Sequence, residues 1–304
     1  MKEKSEIHYF KSISQLLQEL QLPAPNHPLI ALVNYNGVKV QQLERGRKNC
    51  IDFYKISFKL SFKGQTKYGR GYYDFEEGGL AFLQPRQIVA SPDNLGDYEG
   101  WALYFHPDFI RNYALGKMMN KYGFFAYDVS EALFLSAKEK EVISDLFNSI
   151  AKELSGNIDQ YTQDVLVSQL ELLLNYSNRF YNRQFITRKT VNNDIINKLD
   201  KLLDNYFNAG EGLHNGVPSV LHISEELQLS QRYLSDMIKS LTGLTTQQYI
   251  QNSMIERAKD KLSTTKLSVS QIAYDLGFEH SQSFSKLFRA STQLTPLQFR
   301  KSFD

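Results

Sequence analysis

Apolar and polar positions follow different rhythms along the 304-residue chain. Between residues 29 and 106 the chain reads as short strands. In 53–60, Ile56, Phe58 and Leu60 alternate with Lys55, Ser57 and Lys59, as in a strand with one face buried. Stretches 31–40, 50–64, 66–90 and 100–107 are likewise rich in Val, Ile, Phe and Tyr. Gly64, Gly69, Gly71, Gly78, Gly79 and the Pro92-Asp93-Asn94 run punctuate them as turns. Many short strands with regular turns predict a barrel or sandwich.

From Ser136 the spacing becomes helical. In 139–154, Val142, Ile143, Leu146, Ile150 and Leu154 form one stripe. In 159–180, Leu166, Leu170, Leu173 and Phe180 form another, widened by Val165, Leu172 and Tyr176. Stripes this broad must bury against their own domain or a second copy of the chain. The run 178–193 (NRFYNRQFITRKTVNN) is polar and basic with few apolar anchors and predicts a linker. A helix is expected over 194–207, with Ile195, Leu199, Leu202, Leu203 and Tyr206 inward, then a loop over 210–216.

The densest helical pattern lies in 219–302. Ile223, Leu227 and Leu229 belong to a short helix and turn, and Leu234, Met237, Ile238 and Leu241 line the helix after it. Ile272, Ala273, Leu276 and Phe278 repeat the first set, and Phe284, Leu287 and Phe288 the second. Two helix pairs, each joined by a tight turn, have the helix-turn-helix shape. Gly277 supplies one turn, and Ser230 and Ser281 are expected to cap the second helices. Between the pairs, residues 246–263 read as one helix about 27 Å long. With its turns, that spacer sets the two second helices roughly 34 Å apart, one turn of duplex.

These residues resemble the AraC family of bacterial transcription regulators over about the last hundred positions. The resemblance rests on Ile223-Ser-Glu-Glu-Leu227, Ser230-Gln-Arg-Tyr-Leu234, Thr242-Gly243, Arg257-Ala258, Lys261-Leu262, Val269-Ser-Gln-Ile-Ala273, Gly277-Phe278, Phe284, Phe288, Thr295-Pro296 and Phe299-Arg300. Gln228 and Gln293 stand where the family commonly has Gly, and Phe299 where it has Tyr. The resemblance implies an α+β fold class: a β-rich, cupin-like barrel over 1–135, a helical connector with dimerisation helices over 136–186, and an all-α double helix-turn-helix domain over 187–304. It implies promoter or operator double-stranded DNA as partner. RNA polymerase, a small-molecule effector and a homodimer are further expected partners.

On the polar sides of the two second helices, Gln231, Arg232, Ser235 and Asp236 of the first and Ser281, Gln282, Ser285, Lys286 and Arg289 of the second are the DNA-contacting candidates. Arg can take guanine O6 and N7 together, Asp can accept from cytosine N4, Gln suits adenine, and the cations suit phosphate. Bulk charge adds little, because net charge is only +2 and residues 187–304 carry 14 basic and 12 acidic side chains. One local excess remains: Lys286, Arg289, Arg300 and Lys301 occur with no acid between Glu279 and Asp304.

No cofactor, metal or catalytic centre is expected. His8, His27 and His106 are far apart in sequence with no His-x-His pair, and no phosphate-binding glycine loop or Cys-x-x-Cys occurs. The single Cys50 excludes an internal disulfide and reads as a small structural residue. No apolar run is long enough to span a bilayer, and the polar start has no secretory core; a cytoplasmic location is expected. Tyr54, Tyr68, Tyr72 and Trp101, with Tyr73 and Phe75, either pack the barrel core or line a small pocket in which Arg70 or Arg86 orients an anion. Two rival readings stay open: a ligand-binding or scaffold protein whose helix-turn-helix units serve protein contacts, and a metal-dependent cupin enzyme fused to a regulator.

Overall fold

The computed structural model describes residues 7–35, 47–62, 65–68, 71–74, 78–90, 98–128, 131–157, 159–187 and 189–303. Its contacts divide the chain into two compact units, Met1–Gln184 and Phe185–Asp304.

In the first unit the strands are β1 (Ile7–Phe10), β2 (Ile30–Asn34), β3 (Lys48–Ile51), β4 (Tyr54–Phe62), β5 (Gln65–Tyr68), β6 (Gly71–Asp74), β7 (Gly79–Leu83), β8 (Ile88–Ala90), β9 (Tyr98–Phe105) and β10 (Leu133–Phe134). The helices are α1 (Ile13–Glu19), α2 (Pro107–Ile110), α3 (Ala114–Met118), α4 (Ala137–Ser155) and α5 (Thr162–Thr187), which runs on into the second unit. One sheet has the order β10-β7-β4-β9-β2 and is antiparallel throughout. A second has the order β1-β3-β8 with β1 parallel to β3, and β5 pairs with β6. Neither larger sheet closes on itself among the described residues, so the unit is a mixed sheet-and-helix assembly.

Both faces of the five-stranded sheet are covered. On one, Ile56 and Phe58 of β4 lie with Phe82, Leu103 and Phe105, all buried. Rings from the helical side pack there: Phe124 on Phe82, Phe125 on Tyr54 and Phe82, and Phe147 of α4 on Phe58. The other face carries Ala31, Ala102 and Tyr104, which join Phe10, Ile13, Leu16, Leu17, Leu20, Ile51 and Phe53 in one apolar cluster. Lys55, Ser57 and Lys59 belong to that second face, Lys55 opposite Tyr104 and Lys59 opposite Gly100. The alternation in 53–60 therefore marks two packed faces rather than one buried and one wet. Lys59 is only 8% exposed. Gly100 sits where β4 and β9 slip register, at φ 138°, and a Cβ there would meet the Phe58 carbonyl oxygen at 2.0 Å. Only glycine fits.

The predicted linker is helical over its described residues. Helix α5 runs to Thr187 and the next helix starts at Lys189. Phe180, Tyr181, Gln184 and Phe185, spaced by one, three and four, are all buried. Arg183 bridges the Glu139 carboxylate at 2.6 Å and the Phe134 carbonyl at 2.8 Å. Between 178 and 187 the exposed positions are Asn178, Arg179, Asn182, Ile186 and Thr187.

The second unit adds α6 (Lys189–Asn208), α7 (Gly212–Asn215), α8 (Val220–Glu226), α9 (Gln231–Thr242), α10 (Thr246–Thr264), α11 (Val269–Asp275), α12 (Ser281–Thr292) and α13 (Pro296–Lys301). Helix α10 is the spine. Ile250, Met254, Ile255, Ala258 and Leu262 are buried along it, at the three- and four-residue spacings of one helix face. Tyr249 and Arg257 of α10 fasten α6. The Tyr249 hydroxyl donates to Asp200 Oδ1 at 2.8 Å, and Arg257 pairs with Asp204 while its guanidinium lies 5.3 Å over the Phe207 ring. Among the described residues no helix is long and apolar enough to cross a membrane.

Candidate nucleic-acid interface

Two helix-turn-helix units, α8–α9 and α11–α12, repeat one another hydrogen bond by hydrogen bond. In the first turn, Leu227 N–H donates to Ile223 O at 3.0 Å and Leu229 N–H to Ser224 O at 2.9 Å. In the second, Leu276 N–H donates to Ile272 O at 3.1 Å and Phe278 N–H to Ala273 O at 3.0 Å. Such bonds close a helix end through a left-handed residue. That residue is Gln228 at φ 57° in one turn and Gly277 at φ 88° in the other. The difference has a steric cause. A Cβ on Gly277 would meet the Gly216 carbonyl carbon at 2.4 Å, whereas Gln228 is exposed. The second turn therefore requires glycine, and the first tolerates a side chain with the strain of positive φ.

Helices α9 and α12 are each twelve residues long and begin fifty positions apart. Ser230 Oγ accepts from Tyr233 N–H at 3.2 Å, the cap its sequence position suggests. Ser281 is not a cap. Helix α12 starts at Ser281 itself, with His280 as the capping residue and no side-chain cap bond. The C-terminal ends match again. Gly243 and Gln293 are left-handed, Thr242 Oγ1 donates to Ile238 O and Thr292 Oγ1 to Phe288 O, and Thr245 and Thr295 each open the next helix with a capping box to Gln248 and Gln298.

This repeat puts the candidate residues in register: Gln231 with Ser281, Arg232 with Gln282, Ser235 with Ser285, Asp236 with Lys286, and Lys239 with Arg289. Leu234, Met237, Ile238, Phe284 and Phe288 are buried on the opposite sides. Gln231, Arg232, Gln282, Lys286 and Arg289 are exposed, and Ser235, Asp236, Ser281 and Ser285 are half-buried. Ser235 Oγ also accepts from the Thr246 hydroxyl at 3.3 Å, a tie to α10 that the second unit lacks because Pro296 stands at the matching place. Lys239 and Ser283, both exposed on the same helices, escaped the sequence reading. Their register with Arg289 and Tyr233 becomes visible only once the repeat is aligned.

The charges are not equivalent. Arg232 Nε donates to Asp236 Oδ2 at 2.9 Å, one helical turn away. Among the described residues Lys286 and Arg289 enter no ion pair within 4 Å. Arg300, counted in the basic excess near the C-terminus, has another task. It donates to the Leu262 carbonyl at 3.2 Å and the Leu267 carbonyl at 2.6 Å, satisfying the end of α10 and the loop after it.

In the first unit, Tyr54 stacks on Phe105 at 4.8 Å, and Trp101 lies 6.4 Å from Phe147. Both belong to the sheet face that packs on helices. Tyr68 and Tyr72 are placed on β5 and β6 by their backbones, and Arg70 lies outside the described residues. Arg86 is exposed and sits 3.7 Å from Asp52. The three histidines have local partners: His8 Nε2 lies 3.1 Å from Glu19, His27 Nδ1 accepts from Leu29 N–H, and His106 caps α2 through Asp108 N–H. Among the described residues no group of three His, Cys, Asp or Glu could hold a metal ion. Cys50 is buried, and burial pushes its thiol above the usual range.

A family profile described as a helix-turn-helix domain matches residues 223–302. The HTH-type transcriptional activator RhaR of Enterobacter sp. (strain 638) is 33% identical over 113 residues, 37% of this chain and 40% of that protein. Histidine kinase P4 of Formosa agariphila is 29% identical over 170 residues, 56% of this chain and 12% of that protein. The chain thus spans less than half the length of either relative. The C-terminal domain of the two-component response regulator yesN from Fusobacterium nucleatum is 34% identical, covering 33% of this chain and 95% of that one, with a TM-score of 0.28.

Proposed function

We propose that the chain is an AraC-type, sequence-specific regulator of transcription that reads two adjacent major-groove segments of duplex DNA, a reading supported by the helix-turn-helix profile over residues 223–302. The observation that carries this reading is the fifty-residue repeat. Two helices of equal length, with identical C-terminal capping, present polar faces of matched register from one buried spine. A helix that needs its apolar side for the core and keeps a polar side bare is suited to a groove. On α9, Gln231 and Arg232 near the N-terminal end are the base readers. On α12, Gln282 reads bases while Lys286 and Arg289 meet phosphates.

The first unit serves regulation in this reading. Its sheets are the cupin-like part, and Tyr54, Tyr68, Arg70, Tyr72 and Trp101 remain the residues proposed to meet a small-molecule effector. The bare stripe of α5, with Val165 and Leu172 exposed, is proposed to meet a second copy, and RNA polymerase is the protein partner at the promoter. The chain acts in the cytoplasm and performs no catalysis.

Selection of duplexes from a random library by the full chain tests the reading. A selected motif with two blocks about ten base pairs apart, and affinity that falls linearly with the logarithm of salt, are expected. Equal binding to all duplexes would refute sequence-specific regulation.

A further inference from the structure

The two reading helices differ in charge at matched positions. Where α9 has Arg232 and Asp236, α12 has Gln282 and Lys286, and the two residues of each pair stand one turn apart. In α9 the pair is made, Arg232 Nε to Asp236 Oδ2 at 2.9 Å, with the arginine side chain 46% and the aspartate 29% exposed. An aspartate on a groove-facing surface is repelled by phosphates. Its presence there, half-buried and bonded to the arginine rather than pointing away, calls for a role.

A guanidinium gripped at Nε still has both terminal nitrogens, the end-on fork that matches guanine O6 and N7. Fixing that fork before DNA arrives removes rotamer freedom that would otherwise be lost on binding, because a long arginine side chain is costly to order. The same carboxylate cancels the arginine's charge, so Arg232 gains little from an arbitrary phosphate. Helix α12 is arranged oppositely, with Lys286 and Arg289 on its outer face and no acid anywhere along it.

We propose that Asp236 is a positioning residue that holds Arg232 end-on for guanine, so that α9 supplies discrimination while α12 supplies most of the electrostatic affinity. This rests on the DNA-reading function above and reassigns Asp236 from a direct reader of cytosine to the support of its neighbour.

The test uses the full chain and two readouts: base preference by library selection, and affinity for a random-sequence duplex by fluorescence anisotropy. Asp236→Ala should cut the preference for guanine at the Arg232 position about tenfold, within the range one bidentate contact provides. It should also raise affinity for the random duplex a few-fold, since one repelling charge is gone. Opposite signs in the two readouts separate positioning from simple damage to the helix, which lowers both. Asp236→Asn, which keeps shape but not charge, should fall between. In an Arg232→Ala background, Asp236→Ala should leave base preference unchanged, because the residue acts through the arginine. Full guanine preference in Asp236→Ala, or a loss confined to a separate cytosine position, would overturn the proposal. A wild-type chain that selects no motif would instead defeat the DNA-reading function itself.

Discussion

Gly243 and Gln293, fifty residues apart, close α9 and α12 in the same left-handed conformation, at φ 75° and 63°, each donating its backbone N–H to the carbonyl four residues back at 2.9 Å. A glycine takes this conformation without penalty; a glutamine does not. The left-handed region costs a residue bearing a Cβ about 1–2 kcal/mol, offset in part by the extra freedom glycine has when unfolded. Gln293→Gly should therefore stabilise the second unit by about 0.5–1 kcal/mol, and Gln228→Gly likewise. Urea unfolding of the isolated second unit, or of the full chain followed by a probe in that unit, reads this directly.

Gly277→Ala should act in the opposite sense. Both its φ of 88° and the Gly216 backbone 2.4 Å from the added carbon oppose it, so a loss of roughly 3 kcal/mol is expected. The same unfolding measurement checks it. Equal effects of Gly277→Ala and Gln228→Ala would contradict the steric difference between the two turns.

Lys59, buried, and Lys55, half-buried, predict a pH dependence in the first unit. Desolvation lowers Lys59 to about 7 and Lys55 to about 8, and for Lys59 the charge of Lys55 adds to the shift. Between those values and about 10.4 the folded chain holds these amines neutral while the unfolded chain protonates them. Unfolding then takes up protons, so stability climbs as pH rises through this window. Burial raises Tyr35 and Tyr54, which reverses the slope above about pH 10. The melting temperature of the first unit should rise from pH 7 to 9.5, and Lys59→Met should flatten that rise. An unchanged slope in the variant would show that Lys59 is not the group responsible.

The contacts of Arg257 are internal to the second unit. It pairs with Asp204, donates to Asn208 Oδ1 at 3.4 Å and covers the Phe207 ring, and burial lowers its pKa. Arg257→Ala should cost about 1–3 kcal/mol through lost packing and unpaired groups on α6, and leave the selected DNA motif unchanged. Chemical unfolding together with motif selection distinguishes this from a direct contact.

Legibility in the sequence followed how far a segment's partners lie along the chain. The second unit could be read because its apolar spacings of three and four are local and each helix supplies its own stripe. Its errors were small and of one kind. Ser281 looked like a cap, but the turn before α12 holds one residue more than the turn before α9, which moves the capping place to His280. Arg300 looked like part of a basic surface because its carbonyl partners, Leu262 and Leu267, are more than thirty residues away.

The first unit was harder to read for the same reason. Lys59 reads as a solvent-facing residue until the parallel β1–β3 pair and α1 bring Phe10, Ile13 and Leu16 over the same sheet face. The segment 107–126, dense in aromatics without a clean period, gave no element although it forms α2, α3 and two short 3-10 turns. The start of the 178–193 run reads as a linker when its charges are counted, and as the end of a helix once Phe180, Tyr181 and Gln184 are seen to be buried. Sequence alone could not show that the Arg232 and Asp236 candidates pair with each other.

Phosphate contact and base contact should separate cleanly on α12. Arg289→Ala should weaken binding to all duplexes by a similar factor and reduce the salt slope by about one, the signature of a single lost phosphate contact. Salt titrations of wild type and variant on a selected and a random duplex measure both numbers.

Two-helix readout is tested most directly by motif selection with Arg232→Ala and Gln282→Ala side by side. Arg232→Ala should weaken the best site by about 1–3 kcal/mol and relax preference at one position. Gln282→Ala should relax a different position about one helical turn away and leave the first intact. Selected motifs identical to wild type in both variants would contradict it.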